Sequence, residues 1–250
     1  MFCSLVFFYI NKIDYIYLQL IKKTQMKIWH IGDTHTYHSQ LVIPDGIDMV
    51  IFSGDCSNPR DPYNNEPEVR GFIDWFGELP IEHKIFVAGN HDSSIEKGLV
   101  TKADFENNCI HYLENDHITI KGIKIFGSPL TPQFGQWSFM KARHKLDRIW
   151  SCVIDMDADI IVTHGPPRGI LDLSYDSRNV LEFCGCKSLL NMILKVKPKL
   201  VLFGHIHNCK DITNSGTRTI SDLDTIFSNG SVLTDGRFGK LSSNGNIFEL

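Results

Sequence analysis

The 250-residue chain is 42% hydrophobic and carries 25 basic against 29 acidic side chains, a formal net charge of −4 with a pI near 6.2. That is globular make-up, which excludes disorder and collagen-like repetition and leaves one large domain as the expected organisation. A mildly acidic chain lacks the broad basic face that displaces counterions from DNA or RNA, so long nucleic acid is not an expected partner.

Residues 1–25 differ from the rest. Met1 to Ile10 is apolar, but Asn11, Lys12 and Asp14 interrupt it too soon for a membrane span. It also lacks the basic start and small-residue cleavage site of a signal peptide. The segment reads as an appended stretch or an upstream start, with the working domain at 26–250. Without it the count is 22 basic against 28 acidic residues, a net of −6.

From Met26 onward one pattern recurs: an apolar run of strand length ends in glycine or a small polar residue, followed at once by Asp, Asn or His. The first runs Ile28–Ile31 into Asp33-x-His35, and the second Met49–Phe52 into Gly54-Asp55. Ser57 to Pro67, with three prolines, is expected to be irregular. Val69, Phe72, Ile73, Phe76 and Leu79 then make one apolar helix stripe. Ile85–Ala88 leads to Gly89-Asn-His-Asp92. Gly127 to Phe139 reads as a second irregular loop, and Phe139–Val153 as a helix. Ile160–Val162 leads to Thr163-His-Gly165, Ser188–Val196 is a third helical stretch, and Leu200–Phe203 leads to Gly204-His-Ile-His207. Asn229-Gly-Ser231 reads as a turn. Alternating strands and helices predict an α/β protein, with five polar loops gathered on the rim where strands end.

The seven cysteines form no CxxC pair, which argues against a disulfide framework and a thiolate zinc site and fits a reducing, cytoplasmic location. Cys184 and Cys186 are expected to pack ahead of the third helix. In extended backbone, residues i and i+2 project to the same side, so Asp33 with His35, and His205 with His207, can each reach one point. With Asp55, Asn90 and His164 these make seven candidate ligands of imidazole, carboxylate and amide type. Such donors suit manganese, iron or zinc, and seven are too many for one tetrahedral ion. Two divalent metal ions with one bridging carboxylate would use them all, and a water between the cations could lose its proton near neutral pH and attack phosphorus in line. Two such ions against the carboxylates of Asp33 and Asp55 leave a local positive excess that draws in phosphate.

In their order, Asp33-x-His35, Gly54-Asp55, Gly89-Asn-His-Asp92, Thr163-His-Gly165 and Gly204-His-Ile-His207 resemble the five-block signature of calcineurin-like metallophosphoesterases. Gly127-Ser-Pro with Trp137, Thr163-His-Gly-Pro-Pro167 and Gly185-Cys-Lys-Ser-Leu-Leu190 resemble the metallophosphoesterase-domain-containing phosphodiesterase branch. The resemblance implies a four-layer α/β/β/α sandwich. It assigns Asp33, His35 and His207 to one metal and Asn90, His164 and His205 to the other, with Asp55 bridging, and it assigns His91 to the leaving group. Asp92 is expected to fix the His91 tautomer.

Outside the blocks, Arg168 can reach a phosphate with its guanidinium fork, and Trp137 and Phe139 can stack a nucleobase; solvation and core packing are the competing roles. His30, His38, His83, His111, His117 and His144 read as structural or surface histidines. The expected activity is a phosphodiesterase on small, cyclic or other nucleotides. The alternatives are a phosphomonoesterase or protein phosphatase of the same fold, and a non-catalytic nucleotide-binding module. Nothing in the sequence bears on oligomeric state.

Overall fold

In chain order the main strands are β1 (Lys27–Ile31), β2 (Met49–Phe52), β3 (His83–Phe86), β4 (His111–Tyr112), β5 (Asp116–Ile120), β6 (Ile123–Ser128), β7 (Ile160–Thr163), β8 (Leu200–Phe203), β9 (Gly216–Ile220), β10 (Leu223–Asn229) and β11 (Asn246–Glu249). The helices are α1 (Pro62–Glu78), α2 (Ser93–Glu96), α3 (Lys102–Glu106), α4 (Arg143–Ser151) and α5 (Lys187–Val196). This is a computed structural model, and it describes residues 25–176, 178–234 and 239–250. Apart from Gln25, the expected appended segment lies outside the described residues.

One five-stranded sheet has the order β11-β1-β2-β3-β4, and a six-stranded sheet the order β9-β10-β8-β7-β6-β5. Both have a parallel centre with antiparallel outer strands: β11 on β1 in the first sheet, β5 on β6 and β9 on β10 in the second. The alternation of side chains along each strand makes the layers. Ile28, Met49, Ile51, Ile85 and Val87 of the first sheet meet Ile125, Ile160, Val162, Leu200 and Leu202 of the second in one apolar cluster between the sheets. Their neighbours Trp29, Ile31, Val50, Phe52 and Phe86 point the other way, onto Val69, Phe72, Ile73 and Phe76 of α1. On the far side Ile161, Val201 and Phe203 receive Leu146 and Trp150 of α4 and Leu189, Met192 and Ile193 of α5. The architecture is therefore the expected α/β/β/α sandwich, and strands buried on both faces explain the continuous apolar runs.

Two expected boundaries are corrected. Ser57–Pro67 is irregular only as far as Asp61, whose side chain accepts the Asn64 N–H (3.0 Å) to start α1. Pro62 is the first helical residue, where a missing N–H costs nothing, and the single bond that Pro67 deletes is outweighed by the stripe buried against β2 and β3. The helix expected from Phe139 begins only at Arg143. Phe139 has φ 55°, and Met140–Lys141 pair with Thr131–Pro132 as short strands instead.

The ends of the parallel strands continue to bond to one another beyond the sheets. The Asp33 N–H donates to Gly54 O (2.8 Å), Gly204 N–H to His164 O (2.9 Å) and Gly32 N–H to Gly230 O (2.9 Å). The last of these crosses from one sheet to the other, so the rim is shared. Among the described residues no helix is long and apolar enough to cross a membrane.

Candidate metal centre

The seven candidate ligands meet on this rim. Asp33, fully buried, accepts the His205 N–H on both oxygens (2.9 Å) and the Ser231 hydroxyl on Oδ2 (2.7 Å), with His207 Nε2 3.2 Å from Oδ1. Asp55 accepts the His91 N–H on Oδ1 (2.7 Å), while its Oδ2 lies 3.3 Å from His164 Nε2 and 3.9 Å from His35 Nε2. Asn90 Oδ1 is 2.9 Å from His164 Nε2. Ligating atoms of Asp33, His35 and His207 lie within 4.8 Å of one another, as do those of Asp55, His164 and His205; His35, Asp55 and His91 form an overlapping third group. Asp55 thus stands between sets drawn from the two sheets.

The imidazoles are aimed by the backbone. Nδ1 of His35 contacts Ser57 O (3.0 Å), that of His164 Ser53 O (2.9 Å) and that of His207 Thr234 O (3.4 Å). A carbonyl only accepts, so Nδ1 carries a proton and Nε2 is the ring atom turned to the centre, the orientation of a metal-binding histidine with its supporting partner. Asp33 (φ 51°), His35 (φ 41°), Asp55 (φ 60°) and His205 (φ 72°) all adopt left-handed backbone, which costs on the order of 1–3 kcal/mol each and concentrates at functional sites. Glycines make room: a Cβ on Gly89 would strike the Asp55 carboxylate, and one on Gly204 the Asp33 carboxylate.

Charge is balanced between the acids and two of the histidines. Burial opposes a charged His207, but the hydrogen-bonded Asp33 carboxylate overrides it and lifts the ring to about 9. Burial also opposes a charged His164, which Asp55 lifts to about 9. For Asp33, burial works upward and the His207 bond downward, and the outcome is about 2; Asp55 is held well below the carboxylate range, chiefly by His164 against its own burial. His205 has no such partner, so burial and then His164 take it down to about 3, and burial lowers His35 as well.

Residues 26–209 match the model of the family described as calcineurin-like phosphoesterase. The chain belongs to that family. Among curated relatives, metallophosphoesterase domain-containing protein 1 of Homo sapiens is 35% identical over 214 residues, covering 76% of this chain and 63% of the relative. A Caenorhabditis elegans protein of the UPF0046 group is 34% identical over 207 residues, covering 76% of this chain and 71% of its own. One solved structure at 16% identity superposes with a TM-score of 0.54, covering 82% of this chain and 90% of that one, a likeness of fold. The chain thus spans somewhat under two thirds of the human relative.

In this calcineurin-like phosphoesterase a cleft of about 490 Å³ opens over the centre, with His91, Trp137, Phe134, Tyr37, Asn58 and Ser174 among its lining. His91 and Trp137 are where the sequence led; three other expectations are corrected. Asp92 does not touch the His91 ring. It accepts the N–H groups of Asp55 (3.0 Å), Cys56 (3.1 Å) and Gly89 (2.8 Å) and the Ser57 hydroxyl (2.7 Å), while His91 Nδ1 is held by Asn58 O (3.0 Å). Arg168 is not part of the cleft lining: its Nη1 donates to Phe183 O (2.7 Å). Phe139 is buried in the core cluster that also holds the α1 stripe, and its N–H donates to Glu96 Oε1 (2.8 Å).

Sequence reading missed several supporting residues. Ser231 belongs to a sixth strand-end loop, Asn229-Gly-Ser231, which follows β10 and bridges to Gly32 instead of forming a simple turn. The run Ile226-Phe227 ahead of it was the available signal. Buried Asn65 on α1 donates to His91 O (2.9 Å), Pro59 O (3.0 Å) and Ser57 Oγ (2.8 Å), and no local pattern announces it. Of the remaining histidines, His30 is buried between the sheets against Ser53 and Ser228, and His111, His117 and His144 are exposed.

Proposed function

We propose that the chain is a dimetal phosphodiesterase acting on small phosphodiesters, nucleotides among them, in a reducing, cytoplasmic compartment. The observation that carries this reading is Asp55 Oδ2, which faces His164 of one ligating group and His35 of the other. Asp33, His35 and His207 would hold one ion and Asn90, His164 and His205 the second, with Asp55 shared. The donors fit: all are nitrogen or oxygen, and three imidazoles already present Nε2 to the centre. When bound, two divalent cations such as manganese, iron or zinc would supply electrophilic assistance to phosphorus and an activated water.

The chain's own residues do the rest. Backbone carbonyls hold the imidazoles in register, and Asp92 ties the Asp55 loop to the Gly89–Asn90 loop. The Asn58 carbonyl holds one proton on His91 Nδ1, so Nε2 is the ring atom that faces a departing ester oxygen and would carry the second proton, the one donated. Among the described residues no lysine or arginine lines the cleft, which suits a singly charged diester better than a doubly charged monoester. The exposed rings of Phe134 and Tyr37 offer a wall for the second ester group, and free cysteines at 56, 109, 152, 184, 186 and 209 fit a reducing compartment.

Turnover of bis-p-nitrophenyl phosphate and p-nitrophenyl phosphate with manganese, alongside metal analysis, tests the reading. The expected result is two ions per chain, faster hydrolysis of the diester and loss of activity with chelator. Preference for the monoester would overturn the diesterase assignment, and turnover that survives chelation would overturn the metal assignment.

A further inference from the structure

Trp137 could stack a nucleobase or pack within the protein, and in the structure its indole already packs against Arg60 and His91. The guanidinium carbon of Arg60 lies 3.5 Å from the Trp137 ring centroid, which is contact distance directly above the ring. The His91 ring centroid is 4.3 Å from Trp137 with the planes 35° apart, too close and too nearly parallel for an edge approach. Arg60 and His91 therefore both pack on the Trp137 indole. His91 is confined further by the Asn58 carbonyl on Nδ1 (3.0 Å) and by the His35 ring, which meets it edge to face at 4.7 Å. Arg60 is exposed, and among the described residues no carboxylate forms an ion pair with it. Among the described residues the stack on Trp137 is the one directional side-chain interaction it makes.

We propose that Trp137 and Arg60 are positioning residues for His91, a clamp that presses the imidazole into the orientation in which Nε2 meets the leaving oxygen. The inference rests on the phosphodiesterase reading. In that reaction a water oxygen bonds to phosphorus and its proton passes to solvent. The bond from phosphorus to the ester oxygen breaks with its electron pair on that oxygen, which takes the Nε2 proton of a doubly protonated His91; Nδ1 keeps its proton on the Asn58 carbonyl, and solvent returns a proton to Nε2 for the next turnover. Orientation of the imidazole matters in proportion to how much the leaving oxygen needs that proton.

A series of aryl phosphodiesters running from p-nitrophenyl to unsubstituted phenyl leaving groups reads this directly. In the wild type, kcat/KM should fall gently along the series. Arg60→Ala and Trp137→Ala should steepen the fall, losing about tenfold more on the phenyl than on the p-nitrophenyl ester, with metal content unchanged. His91→Ala should steepen it further, and Trp137→Phe, which keeps an aromatic face, should restore most of the wild-type slope. Arg60 is exposed, so its variant folds whatever becomes of Trp137→Ala. Equal losses across the series in Arg60→Ala, or none, would overturn the clamp. No turnover of any diester by the wild type, or an unaltered slope in His91→Ala, would overturn the underlying reading instead.

Discussion

The buried carboxylate of Asp92 gathers three backbone N–H groups and two side-chain donors, and none of them belongs to the histidine next to it in sequence. Burial, and then the Asp55 carboxylate, push its pKa above the usual range, so those donors hold it in place against an electrostatic cost. His91, by contrast, is half-buried at the cleft and held from the side. The two residues should therefore separate in experiment. Asp92→Ala leaves several buried donors unpaired and is expected to cost about 3 kcal/mol of stability together with activity, read as a fall in Tm. His91→Ala should lower kcat on the phenyl diester by about 100-fold or more while Tm and bound metal stay near wild type. At this scale the ligand positions were legible from their place at the ends of apolar runs, whereas the extended backbone assumed for the i and i+2 pairs is not what brings them together: Asp33, His35 and His205 are left-handed. The roles of Asp92, Asn58, Asn65 and Arg60 were not legible, because each acts across tens of residues on a group that sequence cannot place beside it.

Among the elements, the central parallel strands were legible for the same reason that they are stable: they are buried on both faces and so lack polar interruption. The short edge strands β4 and β11 escaped, since two to four residues paired on one side leave little pattern. Pro67 misled because tertiary burial of one helix face outweighs a single lost hydrogen bond. The strand ends are also where the smallest change should matter most. Gly54 and Gly89 stand back to back, with a Cβ on Gly54 within 2.8 Å of the Gly89 backbone and one on Gly89 against the carboxylate of Asp55. Gly89→Ala is expected to displace that carboxylate and lower the metal retained through gel filtration from two ions per chain to one or none. Full retention would show that the loop can yield.

For the molecule as a whole, the layer between the sheets carries a titratable side chain with a thermodynamic signature. His30 is fully buried, bonded to Ser228 Oγ (2.7 Å) and Ser53 Oγ (3.0 Å), and burial lowers its pKa to about 3 against the opposing pull of Asp33. Between the folded value near 3 and the ordinary value of 6.5, the unfolded chain binds one proton more than the folded chain. This contribution is complete above pH 6.5 and is lost as pH falls, at about 1.4 kcal/mol per pH unit. Urea unfolding between pH 6.5 and 5 should show His30→Gln with a shallower dependence than wild type by about one proton, and equal slopes would contradict the assignment. The four-layer plan was legible through the alternation of strands and helices, whereas this interior histidine was not, because its partners lie on other strands and its surroundings exist only after the sheets have met.

That meeting also sets the order in which the protein can be made. Asp33 contacts His207, 174 residues further on, and Ser231, 198 residues on. A chain emerging from the ribosome presents the first sheet's acids long before the histidines of the second exist, and contacts of such span form late in folding. The half-synthesised protein therefore carries only part of the donor set, without His164, His205 and His207. Only when both sheets have docked does the rim close, and an ion seated there would act as a rivet through the seam between the two halves of the chain.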